Sequence, residues 1–123
     1  RHDKVSLTDL IALSVEATLE RISPAAVFVP THSGATARSI TRFRIPVWIA
    51  AVSSLKATCQ RLQFSYGVYP IQEPDHPENW NTYVKNWLHT NEVKGNIVLL
   101  TEGPSLKHPE ANNRMEIIDL EKV

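Results

Sequence analysis

Residues 27–38, Val27-Phe28-Val29-Pro30-Thr31-His32-Ser33-Gly34-Ala35-Thr36-Ala37-Arg38, run an apolar strand into a hydroxyl-rich turn and straight on into a helix. Val27, Phe28 and Val29 follow Ala25 and Ala26 as a buried-strand run, and Thr31, Ser33 and Thr36 set three hydroxyls where the helix begins. The opening amides of a helix have no internal acceptor and together carry about half a positive charge, so an anion set there gains hydrogen bonds and a favourable field. Gly34 lets the backbone come close to such a ligand. This is the layout of a phosphate cradle. The same residues also suit an ordinary strand-to-helix turn in which Ser33 or Thr36 is the N-cap.

The flanking sequence places this turn in an alternating pattern. Ser6 followed by Asp9 resembles a capping box, and Leu7, Leu10, Ile11, Ser14, Val15 and Ala17 give a first helix stopped by Pro24. After the strand and cradle, residues 36–43 read as a second helix, and residues 46–52 as a strand covered on both faces. Ser53 or Ser54 then caps a third helix with Leu55, Cys59 and Leu62 on one face, and Gly67 leads into a strand over residues 68–71. Asp75 with Glu78 suggests the cap of a fourth helix, whose Trp80, Tyr83, Val84, Trp87 and Leu88 recur at helical spacing. That aromatic stripe suits a core or a subunit contact better than a cofactor box. Residues 96–101 form the next strand, residues 102–113 a loop, and residues 115–120 a terminal edge strand.

Composition narrows the function classes. The 123 residues fit one domain, able to bury roughly two-thirds of its unfolded surface. Thirteen basic and thirteen acidic residues cancel, which argues against a broad basic face for nucleic acid. Cys59 is a single cysteine, and the five histidines lack metal-ligand spacing, so no disulfide or structural zinc is expected and a reducing, cytoplasmic setting is. Cys59 itself reads as a packing residue. His76 and His89 read as surface residues. The apolar run from Ile45 to Val52 is far too short to span a bilayer, and no membrane partner is expected. The start Arg1-His2-Asp3-Lys4 suggests a domain cut from a longer chain.

Strands alternating with helices imply right-handed crossovers and an α/β fold of three α/β/α layers, with a mostly parallel sheet. Ligands in such sheets bind beyond the carboxyl ends of the strands. There the loop of residues 31–36 and the loop of residues 102–113 are expected to meet.

These residues resemble the carboxy-terminal α/β domain of pyruvate kinase. The resemblance rests on Leu10-Ile11-Ala12-Leu13-Ser14-Val15-Glu16-Ala17, the 27–38 strand and turn, and the strand at residues 46–52. Tyr66-Gly67-Val68-Tyr69-Pro70 and Lys94-Gly95-Asn96-Ile97-Val98-Leu99-Leu100-Thr101-Glu102-Gly103 complete it, so that it covers nearly the whole chain. It implies a five-stranded sheet ordered 3-2-1-4-5 with the last strand antiparallel. It also implies a regulatory role in an enzyme that transfers phosphate from phosphoenolpyruvate to ADP. Magnesium, potassium and substrate would be held in a separate barrel domain, so the domain alone is expected to carry no cofactor and to catalyse nothing.

Matched to the family loop that wraps an effector phosphate, the candidate residues are Thr31, His32, Ser33, Gly34, Ala35 and Thr36. Ser33 and Thr36 supply the hydroxyls. Arg38 reaches back from the second turn, with a solvated arginine as its alternative, and Lys107 adds a cation in the later loop or marks its tip. The expected partner is a phosphorylated small molecule, a sugar monophosphate or a nucleotide. Pro104, Pro109 and Glu110 replace the glycine-rich stretch of many relatives, and helix four offers Lys85 but no arginine, which disfavours a bisphosphate. Self-association through Met115, Ile117, Ile118 and Leu120 is expected. Two alternatives stay open: an interface module with a degenerate phosphate site, and a small stand-alone protein, or enzyme, of phosphorylated ligands with His32 as its base.

Overall fold

The computed structural model describes residues 6–104 and 109–122. Its elements run α1 (Leu7–Leu19), β1 (Ala26–Pro30), α2 (Ala35–Thr41), β2 (Trp48–Ser53), α3 (Lys56–Leu62), β3 (Val68–Gln72), α4 (Trp80–Thr90), β4 (Ile97–Glu102) and β5 (Arg114–Asp119), followed by a 3-10 turn at Leu120–Lys122. The sheet order is β3-β2-β1-β4-β5. Only the β4–β5 pair is antiparallel. This is the order and the reversal that the sequence resemblance implies.

The alternating positions of β1 explain the layering. Val27 and Val29 join Ala12 and Val15 of α1, Ala37 and Ile40 of α2, and Leu62 of α3 in one core. Ala26 and Phe28 point the other way, into a core with Val84 and Leu88 of α4. All four residues from Ala26 to Val29 are fully buried, which is why this strand reads as a continuous apolar run. Phe28 meets the rings of Tyr83 and Trp87 edge-on at centroid distances of 6.3 and 5.2 Å. The aromatic stripe of α4 is therefore core, as its spacing suggests.

Several element ends differ from the sequence expectation. β2 begins at Trp48 rather than Pro46, because Pro46 has no N–H to give a ladder and β2 takes up its pairing through the Ile49 amide and the Gly67 carbonyl. α2 stops at Thr41, where the Phe43 and Arg44 amides close tight turns and Arg44 takes φ 48°. α3 is capped at Leu55 with no side-chain bond, and its buried face is Thr58 and Leu62 rather than Leu55, Cys59 and Leu62. Ser53 instead accepts from the Leu55 amide at 3.2 Å. α4 is capped by Asn79, whose Oδ1 accepts from the Thr82 amide, not by Asp75. Pro77 keeps the residue before it extended, so the helix waits for the next cap-forming side chain. The terminal strand is Arg114–Asp119 rather than 115–120, with Leu120 opening the 3-10 turn; Ile118 and Leu120 are buried, and Ile117 is left exposed.

Among the described residues no helix is long and apolar enough to cross a membrane.

Candidate functional site

A cleft of about 650 Å3 opens at the carboxyl ends of β1, β2, β3 and β4. One wall is the β1–α2 loop, with Thr31, His32, Ser33, Ala35 and Thr36. The other is formed by residues 73–77, Trp80, and the ends of β4 and β5 at Glu102, Gly103 and Arg114. The crossovers bring the loop after β1 to this end of the sheet, as a parallel α/β topology requires.

The loop is internally braced. Thr31 Oγ1 accepts from the Gly34 amide at 2.7 Å, and Ser33 Oγ from the Ala35 amide at 3.3 Å. Gly34, not Ser33 or Thr36, is the N-cap of α2, at φ 88°. A Cβ there would lie 2.8 Å from Arg38 Nη1 and 3.1 Å from Leu62 Cδ2, so both conformation and space call for glycine. The first intrahelical bond is Arg38 amide to Gly34 carbonyl, so the amides of Thr36 and Ala37 have no intrahelical acceptor. Arg38 folds back to donate from Nη1 to the Ser33 carbonyl at 3.1 Å, which brings a guanidinium to the loop. His32 is exposed, while its carbonyl is held by the Thr58 hydroxyl at 2.7 Å. Thr31 through Thr36 and Arg38 thus converge, and Lys107 lies outside the described residues.

The far wall is acidic and aromatic. Glu102 sits between Arg114, which donates at 2.8 Å, and His76, whose Nε2 lies at 3.4 Å. His76 also stands edge-on to Trp80 at 5.4 Å. It is exposed, as the sequence suggests, but it belongs to the cleft rather than to open surface. Sequence spacing hid it because Glu102 lies 26 residues away in the chain. Tyr83 donates to Glu73 at 2.8 Å. Burial first, then that hydrogen bond and the Glu73 charge, push the Tyr83 phenol well above its usual range, so it stays a neutral donor. Cys59 is likewise raised by burial, which leaves it a thiol and supports its packing role.

Chemically, the loop wall offers amides and hydroxyls to an anion, with Arg38 meeting the loop at the Ser33 carbonyl from the neighbouring recess, and the far wall offers carboxylates to hydroxyl or amino donors. Among the described residues no group of three or more His, Cys, Asp or Glu side chains is placed to hold a metal ion.

Comparison with known proteins follows the same lines. The family model "Pyruvate kinase, alpha/beta domain" matches residues 9–118. The pyruvate kinase of Thermococcus litoralis is 34% identical over 117 residues, covering 94% of this chain and 24% of its own length. That of Geobacillus stearothermophilus is 29% identical over 121 residues, covering 95% and 21%. The chain thus spans about a quarter or less of these curated relatives. Among solved structures, Cryptosporidium parvum pyruvate kinase in complex with ADP superposes with a TM-score of 0.83 at 18% identity, covering 98% of this chain and 25% of that one. At 18% identity this structural likeness shows the fold alone.

Proposed function

This chain belongs to the pyruvate kinase alpha/beta domain family, and we propose that it serves as the effector-binding and oligomerisation domain of a pyruvate kinase. The parent enzyme would transfer phosphate from phosphoenolpyruvate to ADP, in glycolysis and in the cytoplasm. The observation that carries the effector reading is the β1–α2 loop at the mouth of the cleft. There the Thr36 and Ala37 amides lack intrahelical acceptors and the Ser33 hydroxyl makes only a 3.3 Å bond that a phosphate oxygen can replace. A phosphate oxygen accepts more strongly than a hydroxyl, and Arg38 adds a charge-assisted donor beside it.

The far wall selects the rest of the ligand. Glu73, Asp75 and Glu102 repel a second phosphate, and of the cations lining that wall Arg114 is already bound to Glu102. A monophosphate carrying hydroxyl or amino groups is the ligand class that fits, such as a sugar monophosphate or a nucleoside monophosphate.

Support for assembly is apolar exposure on α1 and on β5. Leu7, Leu10 and Leu13 of α1 are 60%, 46% and 44% exposed, and Ile117 on the free edge strand is 56% exposed. α1 lies against β5, where the Thr18 hydroxyl approaches Met115 Sδ. A self-complementary contact would cover both elements and the edge of β5 together.

The effector reading is tested by thermal unfolding with ribose 5-phosphate, adenosine monophosphate and sulfate. A ligand at a hundredfold excess over its Kd contributes about 2.7 kcal/mol, so a rise of several degrees is expected, and Ser33→Asp should abolish it. If all three leave the melting curve unmoved, the cleft is a degenerate site in an interface module.

A further inference from the structure

All thirteen carboxylates of this neutral chain lie outside residues 21–72, while that stretch holds Arg21, Arg38, Arg42, Arg44, Lys56 and Arg61. The last five lie on α2, on α3 and in the turn after α2, and all five are exposed. α2 and α3 are neighbours on one face: both contribute to the same core, and the Thr58 hydroxyl of α3 holds the His32 carbonyl just before α2. A neutral composition thus conceals a segregated charge. Within the patch a shallow recess is lined by Arg38, Arg42, Ser39, Thr41, Ser65 and Tyr66. Beside it Phe64 is 86% exposed, the most exposed large hydrophobic residue among the described residues. Arg44, held at φ 48°, sets its guanidinium over the Tyr66 ring at 4.9 Å, so a cation and an aromatic face are presented together.

We propose that this α2–α3 face docks a short acidic polypeptide segment that carries at least one apolar or aromatic residue. Arg42 pairs with Asp9, while among the described residues Arg38 donates to a carbonyl, Arg61 to a hydroxyl, and Arg44 lies over a ring. Among the described residues, Asp9 is the one carboxylate that pairs with these cations. Arg38 and Arg42 stand one helical turn apart, the spacing at which two guanidinium groups hold two carboxylates of one segment. Phe64 and Tyr66 supply the apolar anchor that gives such a contact its hold, while the charges steer approach. The occupant is short because α2 and α3 are seven residues each, and because α1 beside them carries Asp9, Glu16 and Glu20. A long polyanion such as nucleic acid would run from the patch into those carboxylates. The inference shares Arg38 with the effector reading but does not rest on it.

The test is fluorescence anisotropy with a labelled twelve-residue peptide of repeated Glu-Glu-Phe units. Saturable binding is expected at low ionic strength, weakening about fivefold or more between roughly 0.05 and 0.2 M salt. Arg42→Glu with Arg61→Glu should remove most of the affinity, and Phe64→Ser should weaken it at both salt concentrations alike, with a cooperative melting transition retained in each variant. No saturable binding at low salt, or binding indifferent to these substitutions, overturns the proposal. Tighter binding of an oligothymidine of equal charge also overturns it and assigns the face to nucleic acid.

Discussion

Gly34 is the residue on which the cleft wall turns. Its left-handed backbone lets Thr31 Oγ1 cap its own amide and starts α2 without a side-chain cap. An alanine there meets a positive φ, costing roughly 1–2 kcal/mol, and crowds the fully buried Leu62. Gly34→Ala is therefore expected to lower the melting temperature by several degrees and to remove the response to ribose 5-phosphate, both read in one unfolding experiment. The strand-to-helix turn with its glycine and hydroxyls was legible in the sequence. Which hydroxyl bonds which amide was not, because Ser33, Thr36 and Gly34 are all acceptable caps and only the backbone path selects among them. The place of His76 in the cleft was hidden for a different reason: its partners Glu102 and Trp80 are brought to it by the sheet, and no local spacing encodes that.

At the level of elements, apolar periodicity identified every helix and strand, and the errors lie at ends governed by proline and by competing caps. Pro46 delayed β2, and Pro77 passed the α4 cap from Asp75 to Asn79. On α1 the helical pattern was visible, but not which stripe would face inward. Ala12 and Val15 are buried, while Leu7, Leu10 and Leu13 face outward. Small residues inside and leucines outside are what a helix shows when a second surface waits to cover it. The assembly proposal places that surface beside the free edge of β5, where Ile117 is exposed and Ile118 is not. Ile117→Lys is expected to convert a dimer to a monomer in sedimentation or light scattering, with chain stability changed by less than about 0.5 kcal/mol since the site is exposed. A wild-type chain that stays monomeric at high concentration would remove Ile117 and the α1 leucines from any interface role.

For the molecule as a whole, the α/β alternation was readable from local pattern. The sheet order 3-2-1-4-5 came from the resemblance, since alternation alone permits several orders. The charge partition escaped the sequence reading because net charge is a sum, and a sum of zero does not distinguish mixed from separated charge. One end of the sheet carries the cleft, and the outer surfaces of α2 and α3 carry the cations, so the two proposed functions occupy different surfaces and share only Arg38. The account stands on the cleft accepting a phosphate through the β1–α2 loop. The measurement that tests this most directly is a two-dimensional amide NMR titration with ribose 5-phosphate. The account predicts saturable shifts at the amides of Ser33, Thr36 and Ala37, with smaller shifts at His76 and Trp80 across the cleft. Shifts that leave residues 31–37 unmoved, or that appear only on the outer surface around Arg42 and Arg61, would contradict it.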